Sequence, residues 1–412
     1  MTSTAKALGP IPPGFATIRG ELAIGGRTAS EWVEQAGDTP LFVYSRERIA
    51  ARMAQLRAAL PPAIKVNYAI KANSFGPVLA LLGELADGLD IASGGELAMV
   101  RSAGIDPARV SFAGPGKRDD ELAAAIGAGV TINLESEGEA ERAIAIAAGV
   151  GLRPRLAIRV NPDFELKGSG MKMGGGAKPF GVDAGRVPAL ILRIIQAGCA
   201  WQGLHIFAGS QALDAEALIE AQRATIALAD RLARDAGVAL PKLNLGGGFG
   251  IPYFAGDAPL DIAAVGAALS DALAHLPRTL ADAEIHCELG RYLVGEAGVY
   301  LTRVIDRKES AGEIFLVTDG GLHHQLAASG NFGTVVRRNY PLAVATRFGA
   351  APEEVANVVG CLCTPLDRLA DRAALPRAEP GDLIAVFCAG AYGASASPSA
   401  FLGHAPAKEL LV

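Results

Sequence analysis

Clustered positive charge is missing from this chain. Lysine and arginine number 38 against 43 aspartate and glutamate residues, a net charge of −5. Nucleic-acid binding needs a basic surface that this balance does not supply. No apolar run reaches the roughly 18 residues of a membrane span. Residues 1–15 hold proline and glycine but no apolar h-region, so a signal peptide is not expected. Cysteine is scarce and odd in number: Cys199, Cys287, Cys361, Cys363 and Cys388 in 412 residues. Reduced thiols in a cytoplasmic protein are expected, not a disulfide framework. Aromatic residues are 6% of a chain that is 50% hydrophobic, which suits an Ala-, Leu- and Val-built soluble enzyme. Glycine, by contrast, is abundant: 50 residues, above the roughly 7% average, which implies many tight turns and backbone close to a ligand.

The length exceeds one small core and predicts two domains. From about residue 41, short apolar runs alternate with helix-like stretches. The runs are 64–70, 88–92, 110–113, 130–133, 155–160, 203–206, 242–245 and 284–288; the helical segments are 76–86, 94–103, 119–128, 137–148, 186–197, 215–236 and 262–275. Eight such units over about 250 residues predict an α/β fold, a parallel (β/α)8 TIM barrel over 41–296. A doubly wound open sheet is the competing arrangement. After residue 296 the runs shorten, at 299–305, 313–317, 342–346, 357–359 and 382–387, and helical spacing fades. Residues 297–412, with 1–40 packed against them, therefore predict a β-rich domain. The segment 167–178, rich in glycine and holding Lys167, Lys172 and Lys178, is expected to be a surface loop, with a lid as the alternative.

Lys71 ends the first run, in Tyr68-Ala69-Ile70-Lys71-Ala72-Asn73. A lysine there points its amine into a barrel mouth, where desolvation favours a Schiff-base nucleophile; the plainer reading is a surface lysine after a strand. Other polar groups share the strand ends: Asp90, Arg159 with Asn161, His205 to Gln211, Gly246-Gly247-Gly248, and Glu288 followed by Arg291. Each has a use around a phosphorylated aromatic aldehyde. Three glycines leave amides bare for phosphate oxygens, although three glycines also make an ordinary turn. Arg291 adds charge-assisted hydrogen bonds and Ser210 a hydroxyl. Glu288 can keep a pyridine nitrogen protonated, or can simply pair with Arg291. Cys361-x-Cys363 has no second Cys or His pair at zinc-like spacing, so no metal is expected. His323 and His324, as neighbours on a strand, would face opposite ways and not chelate together; polar loop residues are expected.

Together these pieces resemble the fold-type III pyridoxal 5'-phosphate enzymes of the ornithine, arginine and diaminopimelate decarboxylase superfamily. The matching motifs are Tyr-Ala-Ile-Lys71-Ala-Asn, Asp90-Ile-Ala-Ser-Gly-Gly-Glu96, Arg159-Val-Asn-Pro, Gly209-Ser210-Gln211, Gly246-Gly-Gly-Phe-Gly, Glu288-Leu-Gly-Arg291, Cys363-Thr-Pro-Leu-Asp367 and Gly390-Ala-Tyr392, in the family's order over roughly residues 40 to 400. The resemblance implies a barrel of alanine racemase type with a Greek-key-like C-terminal β-barrel. It implies that Lys71 carries pyridoxal phosphate as a Schiff base and that Glu288 faces the ring nitrogen. Ser210, Gly246, Gly247, Gly248, Gly290, Arg291 and Tyr392 would surround the phosphate, with Asp90, Arg159 and Phe207 also at the cofactor. Cys363 would protonate the product carbanion from the partner subunit of a homodimer, and Thr364 and Asp367 would lie near substrate.

Three departures narrow the substrate. Phe207 stands where many relatives place a histidine over the ring. Thr364-Pro365 follows Cys363, where enzymes of free diamino acids carry an acid for the distal ammonium. A buried ammonium without that partner is costly. No arginine follows Asp319-Gly320-Gly321 at the spacing of the diaminopimelate enzymes; Arg337 and Arg338 come later. The losses resemble a subgroup from biosynthetic and exopolysaccharide-export clusters that includes decarboxylases of aminoacyl groups on acyl carrier proteins. The expected function is decarboxylation of an amino acid, free or carrier-linked. A diamino acid decarboxylase, a racemase on the same scaffold and a non-catalytic partner-binding relative are the alternatives.

Overall fold

The computed structural model describes residues 4–166, 168, 170–172, 174–330 and 337–412. Contacts divide the chain into two compact units. One comprises Met53–Gly250 and Leu260–Gly290; the other comprises Met1–Arg52, Ile251–Pro259 and Arg291–Val412.

The first unit is the expected barrel. Its parallel strands are Ile64–Ala69, Gly88–Ile91, Val110–Phe112, Thr131–Leu134, Arg155–Asn161, Ala200–Ile206, Lys242–Asn244 and Glu284–Leu289. Each pairs with the next, the last pairs with the first, and Thr131–Leu134 pairs with Arg155–Asn161, so the ring closes. That closure removes the open-sheet alternative. The strands are buried nearly throughout, as strands covered on both faces must be. Helix ends follow local chemistry. Asp214 accepts from the Glu216 and Ala217 amides at the head of helix Ala215–Ala236, and Gly237 closes it with φ 68°. Ser136 and Gly151 do the same for helix Glu137–Val150.

The second unit is a mixed sheet ordered Leu342–Val344, Leu383–Val386, Gly298–Ser310, Glu313–Thr318, Glu354–Val359, Arg368–Leu375. The 13-residue strand Gly298–Ser310 is its spine, and Leu41–Tyr44 pairs with its start while Lys408–Leu411 pairs with Leu41–Tyr44. The pairings describe a mixed sheet, the β-rich domain expected. The boundary also moves from the predicted 41–296: Leu41–Tyr44 joins this unit because its hydrogen-bond partner is Gly298–Leu301, and 251–259 and 291–296 join it as well. A small hairpin, Ala16–Ile18 with Glu21–Ile24, leads into helix Ala29–Ala36. A reciprocal Thr28–Glu31 capping box starts that helix. Trp32, Leu22, Ile24, Val43, Val299, Leu301 and Phe387 build the core beneath it, and the Trp32 indole donates to the Ile24 carbonyl at 2.8 Å.

Candidate active site

At the C-terminal ends of the barrel strands lies a cavity of about 240 Å³ lined by Lys71, Asp90, Arg159, Phe180, His205, Phe207 and Glu288, among others. Lys71 sits one step beyond where the sequence suggested. The first strand stops at Ala69, and Lys71 occupies the one-turn 3-10 helix Ile70–Ala72. The Asn73 amide donates to the Ile70 carbonyl and the Tyr68 hydroxyl to the Asn73 carbonyl, which fixes the turn. The amine lies 3.5 Å from Glu288 Oε1 and 5.6 Å from the centre of the Phe207 ring. The side chain is 48% exposed, and its amine shares a cavity with a buried carboxylate.

Two buried carboxyls in this cavity are pushed in opposite directions. Burial pushes Glu288 up, but the charges of Lys71, His205 and Arg159 outweigh it and hold the carboxyl well below its ordinary range. Burial also pushes Asp90 up, and the Glu288 charge adds to it, so its carboxyl lies well above the ordinary aspartate range. Among the described residues neither Asp90 oxygen has a hydrogen-bond partner. His205 Nε2 lies 3.0 Å from Glu288 Oε2, in contact but not aligned as a hydrogen bond, and His205 Nδ1 has no partner among the described residues. Such orphaned buried groups in one cavity need an external partner.

Arg159 is held from behind. Its Nη1 donates to Glu135 Oε1 at 2.9 Å, and its guanidinium lies 5.1 Å from the Phe180 ring centre. Glu135 also accepts from the Gly114 and Gly181 amides at 2.6 and 2.7 Å. Buried Lys117 pairs with Glu139 at 2.7 Å beside it. Glu135 was absent from the expected site, although it directly follows the fourth strand and obeys the strand-end rule that found Asp90.

Gly246, Gly247 and Gly248 must be glycine. A Cβ would lie 2.7 Å from the Ile206 carbonyl oxygen at Gly246, 1.8 Å from that of Glu288 at Gly247 and 2.6 Å from that of Gly209 at Gly248. Gly246 and Gly248 have φ of 69° and 90°. Ser210 sits nearby in sequence space at the end of the sixth strand, in a two-residue pairing with 171–172. At Gly290 a Cβ would press on Ala72, in the turn that holds Lys71, at 2.8 Å.

In the second unit Arg291 donates to the Tyr253 hydroxyl at 2.8 Å, and its guanidinium lies 4.7 Å from the Tyr392 ring centre. Tyr392 has φ of 56°, a left-handed conformation that costs a bulky residue energy and is typical of functional positions. Cys363 is exposed in the turn after strand Glu354–Val359. Thr364 ties that turn, its amide donating to the Leu362 carbonyl at 2.8 Å. Asp367 does not fit the expected substrate role. It is buried, and its two oxygens accept from the Leu322 and Leu362 amides at 2.7 and 2.8 Å. Arg337 is likewise engaged, donating to the Leu366 and Arg368 carbonyls, and Arg338 stacks on Phe254. His323 and His324, expected as polar loop residues, are both buried. Of the 167–178 loop, Lys167, Ser169 and Met173 lie outside the described residues.

The sequence matches the family described as pyridoxal-dependent decarboxylase, pyridoxal binding domain, over residues 46–295. It is 37% identical over 381 residues to the L-glutamyl-(BtrI acyl-carrier protein) decarboxylase of Niallia circulans, covering 91% of this chain and 89% of that one. It is 34% identical over 391 residues to the diaminopimelate decarboxylase of Aquifex aeolicus, covering 91% and 86%. Among solved structures, that of diaminopimelate decarboxylase from Helicobacter pylori complexed with L-lysine superposes with a TM-score of 0.82 at 29% identity, covering 93% of this chain and 94% of that one.

Proposed function

Because the chain belongs to the pyridoxal-dependent decarboxylase family, we propose a specific use of its cavity: Lys71 is the covalent seat of pyridoxal 5'-phosphate, and the substrate is an aminoacyl group carried as a thioester. The enzyme is a carboxy-lyase that uses this cofactor on an amino acid substrate.

The residues present suit the cofactor. The cavity holds an amine, an aromatic face and a buried Asp90 carboxyl with no hydrogen-bond partner among the described residues. Beside the sixth and seventh strands lies a glycine cradle that any Cβ would fill. When bound, the cofactor supplies an aldehyde for the substrate's amino group and a protonated ring that takes up the electrons left as CO₂ departs.

Around that chemistry each side chain has a task. Lys71 Nζ would hold the cofactor covalently through its aldehyde carbon. Glu288, buried and held well below its ordinary range beside Lys71 Nζ at 3.5 Å, would keep a proton on the ring nitrogen. Phe207 offers a ring face with no proton to give. Burial and the Glu288 charge push the Asp90 carboxyl up, which disfavours a second negative charge beside Glu288. Arg159, fixed by Glu135, presents a permanent cation. The glycine amides, Ser210, Arg291 and Tyr392 take the phosphate. Cys363, exposed in its turn, serves the site of a second copy and donates its thiol proton to Cα, so the working enzyme is a homodimer. Five unpaired cysteines suit a reducing, cytoplasmic setting. No helix among the described residues is long and apolar enough to cross a membrane.

The substrate assignment rests on Cys363-Thr364-Pro365. With no acid after the cysteine and Arg337 engaged by main-chain carbonyls, a distal ammonium or free carboxylate has no charged reader from these positions. A thioester needs none. The relative from Niallia circulans acts on a carrier-bound glutamyl group. The test is CO₂ release from carrier-linked glutamyl and related groups against free ornithine, lysine, arginine and diaminopimelate. Carrier-linked substrates should turn over faster; rapid turnover of free ornithine would reject the assignment.

A further inference from the structure

The β-rich unit gathers three donor side chains that no step above uses. Strands Glu313–Thr318 and Glu354–Val359 are parallel neighbours, with Val317 opposite Val359. Their C-terminal ends therefore emerge side by side, and His323 follows one while Cys361 follows the other. A third segment, just after the turn Phe401–Gly403, brings His404 to the same place. The donor atoms of His323, Cys361 and His404 all lie within 4.8 Å of one another, and Cys361 Sγ is 3.8 Å from His404 Nε2.

His323 is the observation that requires explanation. Its side chain is fully buried, and neither ring nitrogen has a hydrogen-bond partner among the described residues. A buried polar atom left unpaired forfeits its hydration without recompense. His324, stacked on it at 3.8 Å between ring centres, is by contrast satisfied: Nδ1 contacts the Tyr300 hydroxyl at 3.2 Å and Nε2 donates to the Ala405 carbonyl at 2.9 Å. That bond pins the segment carrying His404.

We propose that His323, Cys361 and His404 form a site for a zinc-class divalent cation, with water as the fourth ligand. Two imidazoles and one thiolate are the donor set that zinc prefers over magnesium or calcium. Tetrahedral bonds of about 2.0–2.3 Å separate donor atoms by about 3.3–3.7 Å, so the observed spacing needs side-chain shifts of about an ångström. On binding, the Cys361 Sγ–H bond breaks, its electron pair goes to the metal and its proton to solvent; the two imidazoles bind through lone pairs without losing a proton. The cation ties two strand ends to the C-terminal segment and anchors the turn that carries Cys363 two residues later. No local spacing motif announces the site, because its ligands come from residues 323, 361 and 404.

The experiment measures zinc in cofactor-loaded enzyme grown with zinc and desalted, then titrates chelator-stripped enzyme with cobalt(II). The wild type should hold about one zinc per chain, and the cobalt form should show a thiolate-to-cobalt band. His404→Ala, at an exposed position, and Cys361→Ser should each lower zinc at least about tenfold and abolish the band. Cys363→Ser should retain both. Visible cofactor absorbance reports that each variant has folded. Wild-type zinc far below one per chain with no cobalt band, or zinc unchanged in His404→Ala and Cys361→Ser, would overturn the site.

Discussion

Replacing Glu288 with glutamine keeps the volume of a buried side chain and removes one charge. The carboxylate Oε1 stands 3.5 Å from the Lys71 Nζ. At that separation and an effective dielectric near 20, a pair of unit charges is worth about 5 kcal/mol. The Lys71 side chain is 48% exposed, and solvent screening brings the interaction of a cation at that position to roughly 2–3 kcal/mol. A ring proton held by Glu288 is lost on that scale, and each 1.4 kcal/mol is tenfold in rate, so kcat should fall by about 10²-fold. His205 Nε2, 3.0 Å from the other oxygen, faces an amide in the variant and supplies no compensating charge. The assay is steady-state CO₂ release, with cofactor content determined separately on the same sample. Glu288→Gln with full cofactor content and kcat within about threefold of wild type would refute the assigned role.

Further outcomes follow from other parts of the molecule. Cys363→Ala should keep its cofactor and lose about 10²-fold in turnover, the scale of one proton donor, with unchanged activity counting against a donor role. Asp367→Ala leaves the buried amides of Leu322 and Leu362 without acceptors and should cost about 2–4 kcal/mol in urea unfolding. A variant as stable as wild type would show that the turn does not depend on Asp367. Burial and the Lys242 charge push His286 down to about 4 from its ordinary 6.5. The unfolded chain binds that proton first as pH falls, so stability drops between pH 6.5 and 4, by about 2–3 kcal/mol for this group. His286→Gln should flatten that acid limb in unfolding curves at pH 7 and 4.5; an unchanged slope would assign it elsewhere.

The barrel was readable where local chemistry sets boundaries. Helices Asp119–Ala128 and Ala215–Ala236 start and stop as predicted, because Gly129 and Gly237 end them in the left-handed conformation. Helix Arg46–Ala59 escaped notice; with four arginines and scattered apolar residues it presents no clear apolar stripe. The second unit was less legible, since its partners are distant in sequence. Leu41–Tyr44 resembles one more barrel run until its pairing with Gly298–Leu301 is seen. Arg368–Leu375 carries Arg368, Asp371 and Arg372 in a strand and so hides its period. In the cavity, Lys71, Asp90, Arg159, Phe207 and Glu288 came from one rule about strand ends and do converge. Asp367 looked like a substrate contact because nothing in its neighbourhood revealed the Leu322 amide. His323 and His324 were read as strand neighbours facing opposite ways, whereas they lie in a turn where adjacent rings stack.

The central claim is the covalent seat of the cofactor. Borohydride reduction of the cofactor-loaded enzyme, followed by proteolysis and peptide mass spectrometry, tests it most directly. The pyridoxyl mass should fall on Lys71 alone and vanish in Lys71→Ala. A reduced adduct on any other lysine, with Lys71 unmodified, would contradict the account.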